Sequence, residues 1–178
     1  MVVAFTQADL ELIERIGAGR QASKEKRRIA DRKQVRIAGE DIHKLGFAAS
    51  LALARALGVE PDTKVSTRGN KGVSLRVEQT TFNTHYNPTY QELRYWVERV
   101  PEVDILVLVA GSLPRLVLAG WVERQAFLYG KRTEILPGKG ERWLMGRHQL
   151  KPMAELIERF RVRQPGEVEQ PALFPVGM

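Results

Sequence analysis

The chain contains no cysteine among its 178 residues. Disulfides, thiolate zinc sites and cysteine nucleophiles are therefore excluded. No apolar run approaches the roughly 18 residues that cross a bilayer, and residues 1–7 lack the charged and then apolar order of a signal peptide. From these absences we expect a cytoplasmic protein with no membrane partner.

Several nucleotide and hydrolase motifs are also missing. There is no GxxxxGK[ST] phosphate loop, no GxGxxG after a strand and no GxSxG turn, so nucleotide-dependent and serine-hydrolase chemistry has no support.

What the sequence does contain is a 43% hydrophobic fraction with ordinary glycine and proline content. This composition is typical of a globular domain with a real core.

Local patterns predict an α/β fold in which helices flank a mixed β-sheet. We expect a short helix from about Gln7 with Thr6 as its N-cap, and a longer one over residues 42–57, capped by Asp41 and ended by Gly58. Predicted strands cover residues 73–77, 81–86, 105–109, 115–119 and 142–145, and further predicted helices cover 121–128 and 152–160. Residues 90–97 fit either a helix or a strand.

Positive charge is concentrated near the N-terminus. The chain has a formal charge of +7, and residues 20–36 hold eight basic and two acidic residues. Such an arm favours contact with the phosphates of a nucleic acid; the alternative is a solvated arm that aids solubility. The predicted contact residues, which include three basic residues nearer the strands, are Arg20, Lys24, Lys26, Arg27, Arg28, Arg32, Lys33, Arg68, Lys71 and Arg76.

Four stretches of the sequence resemble a known family in their order along the chain. They are ERIGAGRQASKEKRRIADRK, GFAASLALARALG, GVSLRVEQTTFNTHY and VDILVLVAG, followed by a Gly-Trp pair and LKPMAEL. Together they are similar to bacteriophage-type members of the PD-(D/E)xK nuclease superfamily, which implies a restriction-endonuclease-like fold. The family's metal-binding acids and its lysine would fall at Ser50, Ser74, Asn83 and His85.

The resemblance implies an active site that lacks the side chains needed for catalysis. In the family, carboxylates bind a hard divalent cation, whereas Ser50, Ser74 and Asn83 carry no charge to offset the dehydration of Mg²⁺. His85 replaces a permanent cation with a group that is mostly neutral at pH 7. We therefore expect a catalytically silent nuclease fold that binds DNA and needs no cofactor.

An active nuclease with a rearranged site is the alternative. Glu78 would share a strand face with Ser74, and Asp104 precedes a predicted buried strand, so either acid could serve as a replacement ligand. This alternative requires Mg²⁺ or Mn²⁺ as a cofactor.

The sequence predicts three regions: an N-terminal helix and basic arm over residues 1–40, a nuclease-like core over 41–160, and a flexible tail over 161–178. The tail contains QPALF, in which Gln170, Leu173 and Phe174 resemble a peptide that docks on the bacterial sliding clamp. A third hypothesis is therefore an interaction protein that acts on a host replication factor through its tail.

Overall fold

A computed structural model describes residues 1–26, 39–64, 72–88 and 91–160. It confirms the mixed sheet flanked by helices. The elements are β1 (Val2–Ala4), α1 (Gln7–Lys26), α2 (Gly39–Leu57), β2 (Leu75–Val77), β3 (Thr80–Tyr86), β4 (Glu92–Trp96), β5 (Ile105–Ser112), β6 (Arg115–Glu123), α3 (Arg124–Gly130), β7 (Arg132–Leu136), β8 (Gly140–Gly146) and α4 (Met153–Phe160). Short 3₁₀ turns occupy Val97–Arg99 and Arg147–Gln149.

The larger sheet has five strands in the order β1-β6-β5-β3-β2, and we call it sheet A. Strand β5 is parallel to β3 and antiparallel to β6. Its side chains alternate between two cores: Ile105, Val107 and Val109 pack toward the helices, while Leu106 and Leu108 pack on the other face. A strand that is apolar on both faces must be central, as the sequence predicted.

Helices α1, α2 and α4 contribute buried side chains to the core on one face of sheet A. Thr6 caps α1 as predicted, because its hydroxyl accepts a hydrogen bond from the backbone N–H of Asp9 and its own N–H is bound by the Asp9 carboxylate. Helix α2 ends as predicted at Gly58, which has a φ of +69°. Val59 donates to the Ala54 carbonyl and Gly58 to that of Arg55, which is a Schellman motif.

A second sheet of three strands, in the order β4-β8-β7, covers the other face of sheet A, and we call it sheet B. Leu93, Tyr95 and Met145 point inward and share a core with Leu106, Leu108 and Phe127. The segment that fitted either a helix or a strand therefore contains an edge strand, β4, over Glu92–Trp96, followed by a 3₁₀ turn at Val97–Arg99. The described part of the molecule has three layers: helices, sheet A, and sheet B with α3.

Several predicted elements need correction. The helix expected over 121–128 begins only at Arg124, because β6 continues through Glu123 and pairs with β5 up to Ile105. Helix α2 begins at Gly39, so Asp41 lies within it and does not precede it. Strands β1 and β7 were not predicted, and α1 is longer than expected. The tail and residues 27–38 of the basic arm lie outside the described residues.

Candidate functional site

A cavity of about 310 Å³ lies where β2 begins, at the edge of sheet A. Three of the four positions that the family resemblance singled out line it: Ser50, Ser74 and Asn83. His85 does not belong to its lining. The other residues around it are Arg20, Gly46, Asp62, Gly72, Val73 and Thr84. The structure therefore brings together three of the predicted residues, from helix α2, from strand β3 and from the position just before β2.

Hydroxyl groups on two elements meet at the floor of this cavity. The Ser50 hydroxyl lies 3.3 Å from that of Thr84 and 3.1 Å from the Gly46 carbonyl oxygen one helical turn earlier. The Ser74 hydroxyl accepts a hydrogen bond of 3.1 Å from the backbone N–H of Thr84. These contacts are between neutral groups, so the floor carries no formal charge.

Asn83 is held by hydrogen bonds at both ends of its amide. Its Nδ2 donates to the Gly72 carbonyl oxygen, and its Oδ1 accepts a hydrogen bond of 2.7 Å from the Tyr95 hydroxyl. Tyr95 belongs to β4 and is only 8% exposed. Because both ends of the amide are occupied, Asn83 acts as a structural link between sheet A, sheet B and residue 72.

His85 lies on the same strand face as Asn83, and its side chain is half-buried. Its ring packs against that of Tyr95, with 4.8 Å between the centroids. Burial, with a smaller contribution from the charge of Arg94, lowers the pKa of His85 to about 4. The imidazole is therefore neutral at pH 7 and does not reach the cavity.

Arg20 closes the opposite wall of the cavity. Its guanidinium donates to the Lys64 carbonyl oxygen at 3.3 Å and lies 5.1 Å from the centroid of the Phe47 ring. Among the described residues that line the cavity, Asp62 is the one carboxylate, and its Oδ1 accepts a hydrogen bond of 3.0 Å from the Lys64 backbone N–H. Arg20, predicted as a nucleic-acid contact, is thus tied to residues 62–64.

The two fallback acids lie away from this cavity. Glu78 is exposed in the turn between β2 and β3 with a φ of +52°, so it does not share a strand face with Ser74 as expected. Asp104 accepts two hydrogen bonds of 2.7 Å from the Thr81 hydroxyl and backbone N–H, and these bonds lower the pKa of its carboxyl group. Thr81 is three residues before Thr84, which corresponds to roughly 10 Å along a strand.

No cluster of acids and histidines suits a cation in the part of the chain that the structure describes. Over residues 1–26, 39–64, 72–88 and 91–160, no three His, Cys, Asp or Glu side chains lie close enough together to hold a metal ion. Within the same residues, no helix is long and apolar enough to span a membrane.

The predicted nucleic-acid contacts are mostly outside the described residues. Residues 27–38 hold five basic residues and one acid, and residues 65–71 hold two basic residues and no acid. Together the two segments account for six of the seven excess positive charges of the chain. The side chains of Lys24 and Lys26 also lie outside the described part, whereas Arg76 is exposed on β2. Gln170, Leu173 and Phe174 lie in the undescribed tail.

Thr84 and Asp62 line this cavity and were not predicted as site residues from the sequence. Thr84 lies two residues after Phe82, which is fully buried toward the helices, so alternation along β3 places its side chain on the Ser50 side. That signal was available in the sequence. The contact of Tyr95 with Asn83 was not, because it depends on how sheet B packs on sheet A.

Comparisons of the chain with protein-family models, with curated proteins and with solved structures found no match.

Proposed function

We propose that this protein binds nucleic acid through phosphate contacts and does not cleave it. The observation that carries the proposal is the cavity at the edge of sheet A, where positions expected to hold acids are neutral and hydrogen-bonded to their neighbours. A divalent cation needs several charged oxygens to replace its hydration shell. Asp62 alone provides too little negative charge for that purpose.

The neutral floor also suits a polyanion. A cluster of carboxylates repels phosphate when no cation is bound, whereas the Ser74 hydroxyl, which accepts a hydrogen bond from Thr84, can still donate its own proton to a phosphate oxygen. Arg20 adds a guanidinium, which pairs well with phosphate because of its fixed planar donors. This pocket can therefore accept a phosphate group without a metal ion.

The basic stretches of the sequence are connected to the rim of this cavity. Residues 65–71 follow Lys64, whose carbonyl oxygen binds Arg20, and precede Gly72, whose carbonyl oxygen binds Asn83. Residues 27–38 follow the end of α1, the helix that carries Arg20. Six of the seven excess positive charges thus belong to segments that attach beside the cavity.

Salt dependence of binding tests the proposal. Fluorescence anisotropy with labelled DNA and RNA should show affinity falling steeply between about 50 and 200 mM NaCl, because phosphate contacts release counterions. Changing Arg27 and Arg28 together to Gln should weaken binding roughly tenfold at low salt. The slope of log K against log salt should also become shallower by about 1 for each phosphate that is no longer neutralised.

The matched control removes two charges elsewhere. Arg115 is exposed on β6, and Arg159 lies on α4 with a side chain that is 59% exposed. Changing both to Gln lowers the net charge equally and should leave affinity within about twofold, because a general charge effect alone is weak at a distance. Equal decreases in affinity in the two double variants, or binding that does not respond to salt, would contradict the proposal.

A further inference from the structure

The outer face of sheet B combines arginine side chains with a tryptophan. Cross-strand pairing places Arg94, Leu144 and Arg132 in one row, and Trp96, Arg142 and Glu134 in the next. Residues directly opposite one another share a face of a sheet. Three guanidinium groups from three strands therefore lie on one surface beside an indole ring.

This surface faces away from the core. The alternate residues of the same strands, Leu93, Tyr95 and Met145, pack inward against sheet A. On the outer face, the Arg132 side chain is 72% exposed and that of Arg94 is 39% exposed, and Trp96 is half-buried. The surface is thus accessible to a ligand in the described part of the protein.

Acids on this face neutralise only part of the arginine charge. Arg94 binds one carboxylate oxygen of Glu92, and Arg142 binds Glu134. Arg132 is 3.6 Å from the second oxygen of Glu92, which is beyond a good hydrogen bond. Three arginines against two glutamates leave an excess of one positive charge, and Arg132 retains most of its donors for a ligand.

A cavity of about 540 Å³ continues this surface at one end. Glu92, Arg132 and Leu144 line it from sheet B, while Lys131, His148 and Gln149 line it from the adjoining segments. A volume of this size falls within the range of pockets that hold small organic ligands. The lining offers both cationic groups and amide and carboxylate groups that can bind the edge of a base.

We propose that the outer face of sheet B is a binding surface for single-stranded nucleic acid. One base stacks on Trp96, phosphates contact Arg132 and Arg94, and the cavity accepts a neighbouring nucleotide. This inference rests on the proposed function and extends it, because it assigns a second surface and a preference for unpaired strands.

The chemistry of the surface favours a single strand over a duplex. A base can stack on an indole ring only when its own face is not covered by neighbouring bases. Cationic side chains interleaved with an aromatic ring on a sheet are the arrangement by which such proteins bind the backbone and bases together. A duplex would offer phosphates to the arginines but no base face to Trp96.

The test measures binding of labelled single-stranded DNA, single-stranded RNA and a DNA duplex by anisotropy. Removing the aromatic ring under one stacked base weakens binding by roughly five- to hundredfold in proteins of this kind. We expect Trp96→Leu to weaken binding of single strands about tenfold and binding of duplex less than about twofold. Arg132→Gln should weaken binding of single strands about threefold to tenfold, because it removes the charge that neutralises one phosphate.

Arg115→Gln is the matched control for Arg132→Gln, since Arg115 is exposed on β6 of sheet A and belongs to neither sheet B nor the lining of this cavity. Arg132 is largely exposed, so its variant keeps the test decisive if Trp96→Leu does not fold. Unchanged single-strand affinity in the Arg132 and Trp96 variants would overturn this inference, as would an equal decrease in Arg115→Gln. If those variants bind normally while the Arg27 and Arg28 double variant binds weakly, the proposed function stands and only this inference fails. If the wild-type protein binds no nucleic acid, both fail.

Discussion

The two predicted site residues on β3 differ in what surrounds them. Asn83 is at the edge of the cavity, whereas His85 is half-buried and its ring packs against that of Tyr95. The neutral imidazole is compatible with this apolar environment, but the imidazolium is not, because burial penalises the charged form. The protonation of His85 is therefore coupled to folding.

We predict that stability falls as the pH drops from 7 to 5. The pKa of His85 is about 4 in the folded protein and about 6.5 in the unfolded chain. Between these values the unfolded state binds more protons, so acid favours unfolding. The free energy of unfolding, measured in urea, should decrease by about 2 kcal/mol between about pH 7 and pH 5.

Two variants isolate this effect. His85→Gln should remove most of the dependence on pH in that window, whereas His148→Gln should retain it, because His148 is exposed in the 3₁₀ turn Arg147–Gln149. The carboxyl groups of Asp9, Asp104, Glu123 and Glu134 have lowered pKa values, so their effect on stability lies below this window. A pH profile of His85→Gln that matches the wild type would contradict the assignment.

Among the secondary-structure elements, α2 is informative because it contains a glycine in its interior and is followed by another. Gly46 lies within the helix, and Gly58 follows its last residue with a φ of +69°. A Cβ atom added at either position would meet nothing within 4 Å. Any difference between alanine substitutions at these sites must therefore come from backbone conformation.

We predict opposite effects for the two alanine variants. Gly46→Ala should stabilise the protein by about 0.5–1 kcal/mol, because alanine is the better helix former. Gly58→Ala should destabilise it by about 1 kcal/mol, since a left-handed conformation is costly for a residue with a Cβ atom. Midpoints of urea unfolding measure both, and a change of the same sign in the two variants would contradict this explanation.

Elements with strong local signals could be predicted from the sequence. The β2–β3 hairpin, the apolar strand β5 and the glycine stop of α2 are confirmed. Strand β7 could not be recognised, because it is an edge strand whose Ile135 is 75% exposed and shows no buried alternation. The helix expected at Trp121 was wrong because pairing with β5, a tertiary effect, extends β6 to Glu123.

The candidate site, like the fold, could be predicted from the sequence only in part. The family resemblance singled out Ser50, Ser74 and Asn83, and all three line one cavity. It did not indicate that His85 would pack against Tyr95 and not line the cavity, because that depends on sheet B, whose strands β4 and β8 are separated by more than forty residues in the sequence. Contacts between distant segments are the part of a fold that local patterns do not encode.

At the scale of the whole molecule, the excess positive charge is distributed unevenly along the chain. The described residues carry little of the net charge, whereas residues 27–38 and 65–71 carry most of it. Residues 65–71 are joined to Lys64 and Gly72, whose carbonyl oxygens accept hydrogen bonds from the cavity residues Arg20 and Asn83. A role in binding follows more directly from this distribution than a role in metal-dependent cleavage.

We predict that divalent cations have no specific effect on the protein. A cation bound with a Kd of about 0.1 mM would stabilise the fold by about 2.7 kcal/mol at about 10 mM. We expect instead that Mg²⁺ or Mn²⁺ leaves the melting temperature within about 1 °C of a NaCl control of equal ionic strength, and that single- and double-stranded DNA remain uncut. Cleavage that disappears in Glu78→Ala or in Asp104→Asn would establish the rearranged nuclease instead.

The hydrogen bond from Asn83 to Gly72 disfavours a carboxylate at this position. An aspartate there would lack the donor and place a carboxylate oxygen against the Gly72 carbonyl oxygen, which is repulsive. Gly72 has little room to move, because its φ is +82° and an added Cβ would lie 2.6 Å from Pro101. A carboxylate at position 83 would therefore require a shift of the backbone around residue 72 before it could face a cation.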